Sequence, residues 1–165
     1  MSFDGTAEAE WIMSPATGIG ALYGGRVWEG GVPVGYVLPK VNGRIAPYLT
    51  VHFGTPVPIA GTQTVAGGVR SADYLMGVSV HVHASTLDDL KAGTRAVLRR
   101  MVGMEPSGTG NAGEITPSGG RTFDSEDNSG ESTRYMRMIY FLVPVGFNDD
   151  DENGDDWLII SGGAP

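Results

Sequence analysis

One stretch constrains the fold of this chain more than any other: DYLMGVSVHVHASTLDDLKAGTRAVLRRMVG, residues 73–103. Within Tyr74–Ala84, Met76, Val78, Val80, Val82 and Ala84 alternate with Gly77, Ser79, His81 and His83. A period of two predicts a strand with one apolar and one polar face. Ser85 then offers a helix N-cap, and Asp88 three residues later completes a variant of the capping box. Leu87, Leu90, Thr94, Val97, Leu98 and Met101 recur at helical spacing on one stripe. Asp88 and Asp89 suit the positive end of the helix dipole, and Arg99 and Arg100 its negative end. With Gly103 as C-cap, the helix is expected over about 86–102, some 24 Å long and able to lie along a sheet face.

The flanking sequence fills in that sheet. Thr6–Met13 reads as a short helix ended by Ser14-Pro15, and Arg26–Glu29 as a short strand. Pro47 leads into YLTVHF, a β-branched and aromatic strand closed by Gly54. Residues 55–72 carry no periodicity and read as a long loop, as does the polar segment Met104–Gly130, apart from short strands at Glu114–Thr116 and Gly120–Phe123. FDSEDNSGES, residues 123–132, reads as a mobile loop tip. Ser132–Val143 is a long strand with Tyr135, Arg137, Ile139, Phe141 and Val143 on one face and Met136, Met138, Tyr140 and Leu142 on the other. Apolar character on both faces suits a central strand or a subunit interface, and Pro144 is expected to end its ladder.

These elements predict an α/β (α+β) fold, a small antiparallel or mixed sheet with one main helix, long loops and an acidic C-terminal extension. The 26 glycines and ten prolines in 165 residues agree with many turns. Residues 1–147 read as a single domain and 148–165 as the extension, because six of the nineteen acidic residues fall in Asp149–Asp156. The remaining thirteen acids nearly balance eleven bases, which gives no electrostatic sign of nucleic-acid binding. The chain has no cysteine, so disulfides, thiolate zinc sites and cysteine nucleophiles are excluded. MSFDGTAEAEW does not read as a secretory signal, and no window approaches the ~18 apolar residues that span a bilayer. A soluble protein made in the cytoplasm is expected.

Four groups of residues are candidates for chemistry. His81 and His83 share a strand face, as some zinc and iron sites require, with His52 the only other histidine; a polar face or interface explains the pair more simply. DDDENGDD matches the opening of a calcium loop at Asp149, Asp151, Asn153, Gly154 and Asp155, but the twelfth place is Ile160. GIGALYGG and SGTGNAGE lack the context of a phosphate loop, and no G-x-S-x-G is present. Arg95, Arg99 and Arg100 suit either a neighbouring subunit or a solvated helix face. No catalytic residue, metal or cofactor is assigned, and a scaffold that works by association is expected.

The order of parts is familiar: GGRVWEGGVP, PYLTVHFGTP, a long loop, the stretch 73–103, GEITPSGG and RYMRMIYFLVPV. Over roughly residues 20–147 it resembles the tail terminator proteins of long-tailed (siphovirus-type) bacteriophages. The resemblance implies a structural subunit forming a hexameric ring at the head-proximal end of the tail tube. Such a ring stops tube polymerisation, meets the tail tube protein and a head-side connector or stopper protein, and lets genomic DNA pass its lumen without specific binding. By that analogy segments 55–73 and 104–131 are contact candidates, and Arg70, Asp73, His81, His83, Arg95, Arg99, Arg121 and Arg137 are the interface candidates. VNGRIA before the YLTVHF strand and the C-terminal extension depart from the pattern. A head-tail connector, a tail tube subunit, a calcium module and a histidine-metal enzyme are the competing readings.

Overall fold

The structure, a computed structural model, describes residues 5–61, 64–66, 69–106, 113–118, 123–127 and 133–148. Helix α1 (Thr6–Met13) passes through a 3-10 turn (Gly20–Tyr23) to β1 (Val27–Glu29), then β2 (Lys40–Val41), β3 (Arg44–Ile45) and β4 (Tyr48–Phe53). β5 (Val57–Pro58) and β6 (Thr64–Ala66) precede the long β7 (Val69–Ala84) and helix α2 (Leu87–Met101). β8 (Thr116–Pro117), β9 (Phe123–Asp127) and β10 (Arg134–Asn148) follow.

The main sheet runs β1-β4-β7-β10-β8, with β5 and β6 also on β7 and β9 on β10. It is mixed: β1 lies parallel to β4 and the other pairs are antiparallel. This is the α+β architecture the sequence predicts. At 16 residues, β7 spans about 50 Å and is the spine against which four other strands pair.

The apolar alternation holds. Met76, Val78, Val80, Val82 and Ala84 are buried, in register with Val143, Phe141, Ile139, Arg137 and Tyr135 of β10. Leu49 and Val51 of β4 continue the layer. Trp11 and Ile12 of α1, Ile19, and Leu90, Val97 and Met101 of α2 cover it from one side. Gly93 lets α2 approach closely, because a Cβ there would run into the Tyr23 hydroxyl and lie 2.7 Å from Val82 Cγ1. Helix α2 then stops at Gly103, whose φ of 75° lies in the left-handed region glycine tolerates.

Several expectations are corrected. The N-cap is Thr86, one residue after the expected Ser85; Thr86 Oγ1 accepts from the Asp89 N–H at 3.1 Å. Ser85 Oγ instead donates to the Ile45 carbonyl at 2.9 Å. Leu87 is 51% exposed, so the buried stripe of α2 begins at Leu90. Segment 55–72 is not a plain loop: β5 and β6 pair on β7, which itself begins at Val69. Phe123–Asp127, expected in a loop tip, is β9, paired with Arg134–Met138. Pro144 does not end its ladder, since β10 continues opposite β7 as far as Asn148↔Ser71. On its other side β10 pairs with β8 at Phe141 and Leu142, so among the described residues Pro144 lies on an edge stretch of β10, where proline is accepted. The calcium-like motif at 149–156 and the short apolar patch WLII that follows it in the sequence, Trp157–Ile160, lie outside the described residues.

Candidate functional site

Helices cover one face of the sheet, and the opposite face carries the other half of every alternation. Register puts Tyr48 beside His83 and Met136, Thr50 beside His81 and Met138, and His52 beside Ser79 and Tyr140. Trp28 joins them from β1, in register with Thr50. His52, Ser79, His81, His83, Met136, Met138, Tyr140 and Leu142 are all half-buried. A histidine row on β4 and β7, flanked by aromatic and methionine side chains of β1, β4 and β10, therefore lies across four strands.

The rings stack. Tyr48 and His83 are 4.4 Å apart between centroids and 7° from parallel. His52 and His81 are 4.3 Å apart at 31°, and His81 and His83 are 6.4 Å apart. Thr50 Oγ1 lies 3.3 Å from His83 Nε2, and Ser79 Oγ lies 3.2 Å from His81 Nε2. Burial lowers the His83 pKa to about 4, helped by the nearby His81, His52 and Arg134. Burial, then His52, lowers that of His81. Both are therefore neutral at physiological pH. The imidazoles line up beside hydroxyls without converging on a point, and among the described residues no group of three or more His, Asp or Glu side chains is arranged to hold a metal ion.

The other interface candidates are scattered. Asp73 is exposed on β7, eight residues before His81, or about 26 Å along the strand. Arg137 is half-buried on β10, opposite Val82 and Asp124. Arg95 and Arg99 are exposed on α2, on the far side of the sheet, and Arg95 Nε donates to the Lys91 carbonyl. Arg100 is tied down: its Nε donates to the Gly18 carbonyl at 2.9 Å. Arg70 is in β7, but its side chain lies outside the described residues, as does Arg121 entirely. Of the described candidates, His81 and His83 lie together, their ring centroids 6.4 Å apart.

The residues missed are those joining the pair: Tyr48, Thr50, Trp28, Met136, Met138 and Tyr140. The alternation of YLTVHF carried the signal for Tyr48, Thr50 and His52, but placing them beside His81 requires the β4–β7 register. A second feature, an arm, was also missed. Between Pro33 and Arg44 every residue but Leu38 is exposed. The arm ends in a β2–β3 hairpin whose two-residue turn, Asn42 (φ 52°) and Gly43 (φ 76°), has both residues at positive φ, as an Asn-Gly hairpin turn requires.

No family model and no curated protein matches the chain. Among solved structures, one similar chain comes from the virion of a native gene transfer agent particle. Its TM-score is 0.41 at 18% identity, over 76% of this chain and 84% of that one. A likeness that slight carries no argument about role.

Proposed function

We propose that this chain is a structural virion protein of a phage-like particle, a ring-forming subunit that ends the tail tube at its head-proximal side and joins it to the head connector. One observation carries the reading: among the described residues no helix covers the sheet face opposite α1 and α2, and that face is built largely from Trp28, Tyr48, Met136, Met138, Tyr140 and stacked histidines, most of them only half-buried. Lone surface hydrophobics are ordinary, whereas a contiguous face rich in aromatic and methionine side chains marks a surface meant to be covered. The neutral His81 and His83 imidazoles add polar complementarity without buried charge.

The order of sequence elements supplies the finer role, and with it the partners: further copies of this chain, the tube protein and a head-side connector. A near-neutral body suits a lumen that passes DNA, because clustered cations would bind phosphates and retard it. Catalysis has no part in this reading. A tube subunit, the nearest competitor, should grow without limit as concentration rises. Native mass spectrometry across a concentration series, with tail tube present and absent, is expected to show one closed ring mass and no larger species. Open-ended growth would replace termination with tube building, and a strict monomer that ignores the tube would end the assembly reading.

A further inference from the structure

We infer that the arm Gly31–Ile45 of one subunit seats in the cleft between α1 and the sheet of the next copy, head to tail; this rests on the ring reading above. The arm is apolar where it is most open: Val34 is 107%, Val37 85% and Val41 60% exposed. It is also held in shape. The Tyr36 ring packs edge-on against Trp28 at 4.9 Å, the Ala46 N–H donates to the Pro39 carbonyl at 2.8 Å, and Ser85 anchors Ile45. A preorganised apolar segment loses little entropy on docking, which favours binding.

The cleft complements it in polarity and charge. It has a volume of about 530 Å³, with Ala9, Met13, Phe53 and Met76 among its apolar lining. Glu10 and Glu29, both exposed, add negative charge to it. The arm carries Lys40 and Arg44, and no acidic residue occurs between Glu29 and Asp73. Apolar surface therefore meets apolar surface, and cations meet carboxylates.

Position gives the symmetry. The arm hairpin joins the sheet at the Tyr48 end of β4, while the cleft opens at its Phe53 end, about 17 Å along the strand. Complementary surfaces at opposite ends of one subunit make a heterologous contact, which generates a ring when the rotation closes.

The absence of cysteine makes a direct test possible. Val37→Cys and Ala9→Cys, mixed and oxidised, are expected to form one disulfide-linked heterodimer that neither forms alone. The double variant is expected to give a ladder ending at the ring number. Val37→Asp, at an open position, is expected to keep its melting temperature and lose the ring. Failure of the mixture to cross-link while wild-type protein still forms its ring overturns the arm placement and leaves the ring reading intact. A disulfide within a single subunit overturns it as well, as does capture of Ala9→Cys by a cysteine at Leu158, which would make the C-terminal patch the occupant. Absence of any ring, with or without tube, defeats both readings.

Discussion

Tyr48 and His83 lie face to face, 4.4 Å apart and 7° from parallel, on the side of the sheet opposite the helices. The stack shields the imidazole, and burial with His81, His52 and Arg134 nearby lowers its pKa from 6.5 to about 4. The unfolded chain therefore takes up the proton first as pH falls. Stability is full above pH 6.5 and is lost down to about pH 4, by at most roughly 3 kcal/mol from His83, with His81 acting in the same direction. The melting temperature is expected to fall between pH 7 and 4.5, and His83→Phe, which keeps a ring on Tyr48 without a titrating group, to flatten that fall. An unchanged pH profile in His83→Phe would refute the assignment.

Gly93 is where α2 comes closest to the sheet. In an exposed helix Gly→Ala would stabilise by about 1 kcal/mol, but here the added methyl meets Tyr23 and the rigid Val82. Overpacking of this kind costs about 1–3 kcal/mol, so Gly93→Ala is expected to destabilise in a denaturant titration. Adding Tyr23→Phe, which removes the nearest atom, is expected to recover part of the loss.

The adjacent hydroxyls at the start of α2 do different work. Thr86→Ala removes the cap and is expected to cost about 1 kcal/mol, with faster hydrogen exchange in the first helical turn. Ser85→Ala releases the Ile45 carbonyl at the base of the arm, at about 1 kcal/mol, and is expected to speed exchange at the arm base while leaving the helix protected.

Two neighbouring arginines should separate cleanly. Arg100 donates to Gly18 across 82 residues of sequence, so Arg100→Ala is expected to destabilise by about 1.5–3 kcal/mol. Arg99 is exposed, and Arg99→Ala is expected to stay within about 0.5 kcal/mol of wild type in the same chemical denaturation.

Much of this was legible because period-two alternation survives without tertiary information. The apolar face of Met76–Ala84 read directly from its alternation, whereas YLTVHF and Ser132–Val143 read as strands whose buried faces, Leu49 and Val51 and Ile139, Phe141 and Val143, only packing assigns. What was not legible depends on pairing. Segment 55–72 shows no periodicity of its own and becomes strand only because β7 offers it an edge. FDSED reads as a turn by composition, yet β10 provides a partner ladder. Thr86 displaced Ser85 as cap because Ser85 is claimed by Ile45, forty residues away, a competition invisible to local rules. The Asn42-Gly43 turn was readable from its dipeptide, whereas the exposure of the arm was not. His52 stood in plain view, but its place beside His81 depended on register.

The central claim is termination by a ring, and negative-stain electron microscopy of the protein mixed with the tail tube of its own virus tests it most directly. The account predicts rings of one size, seated on one end of each tube and halting its growth. Protein that stays monomeric and never touches the tube, or that extends it, would contradict the account.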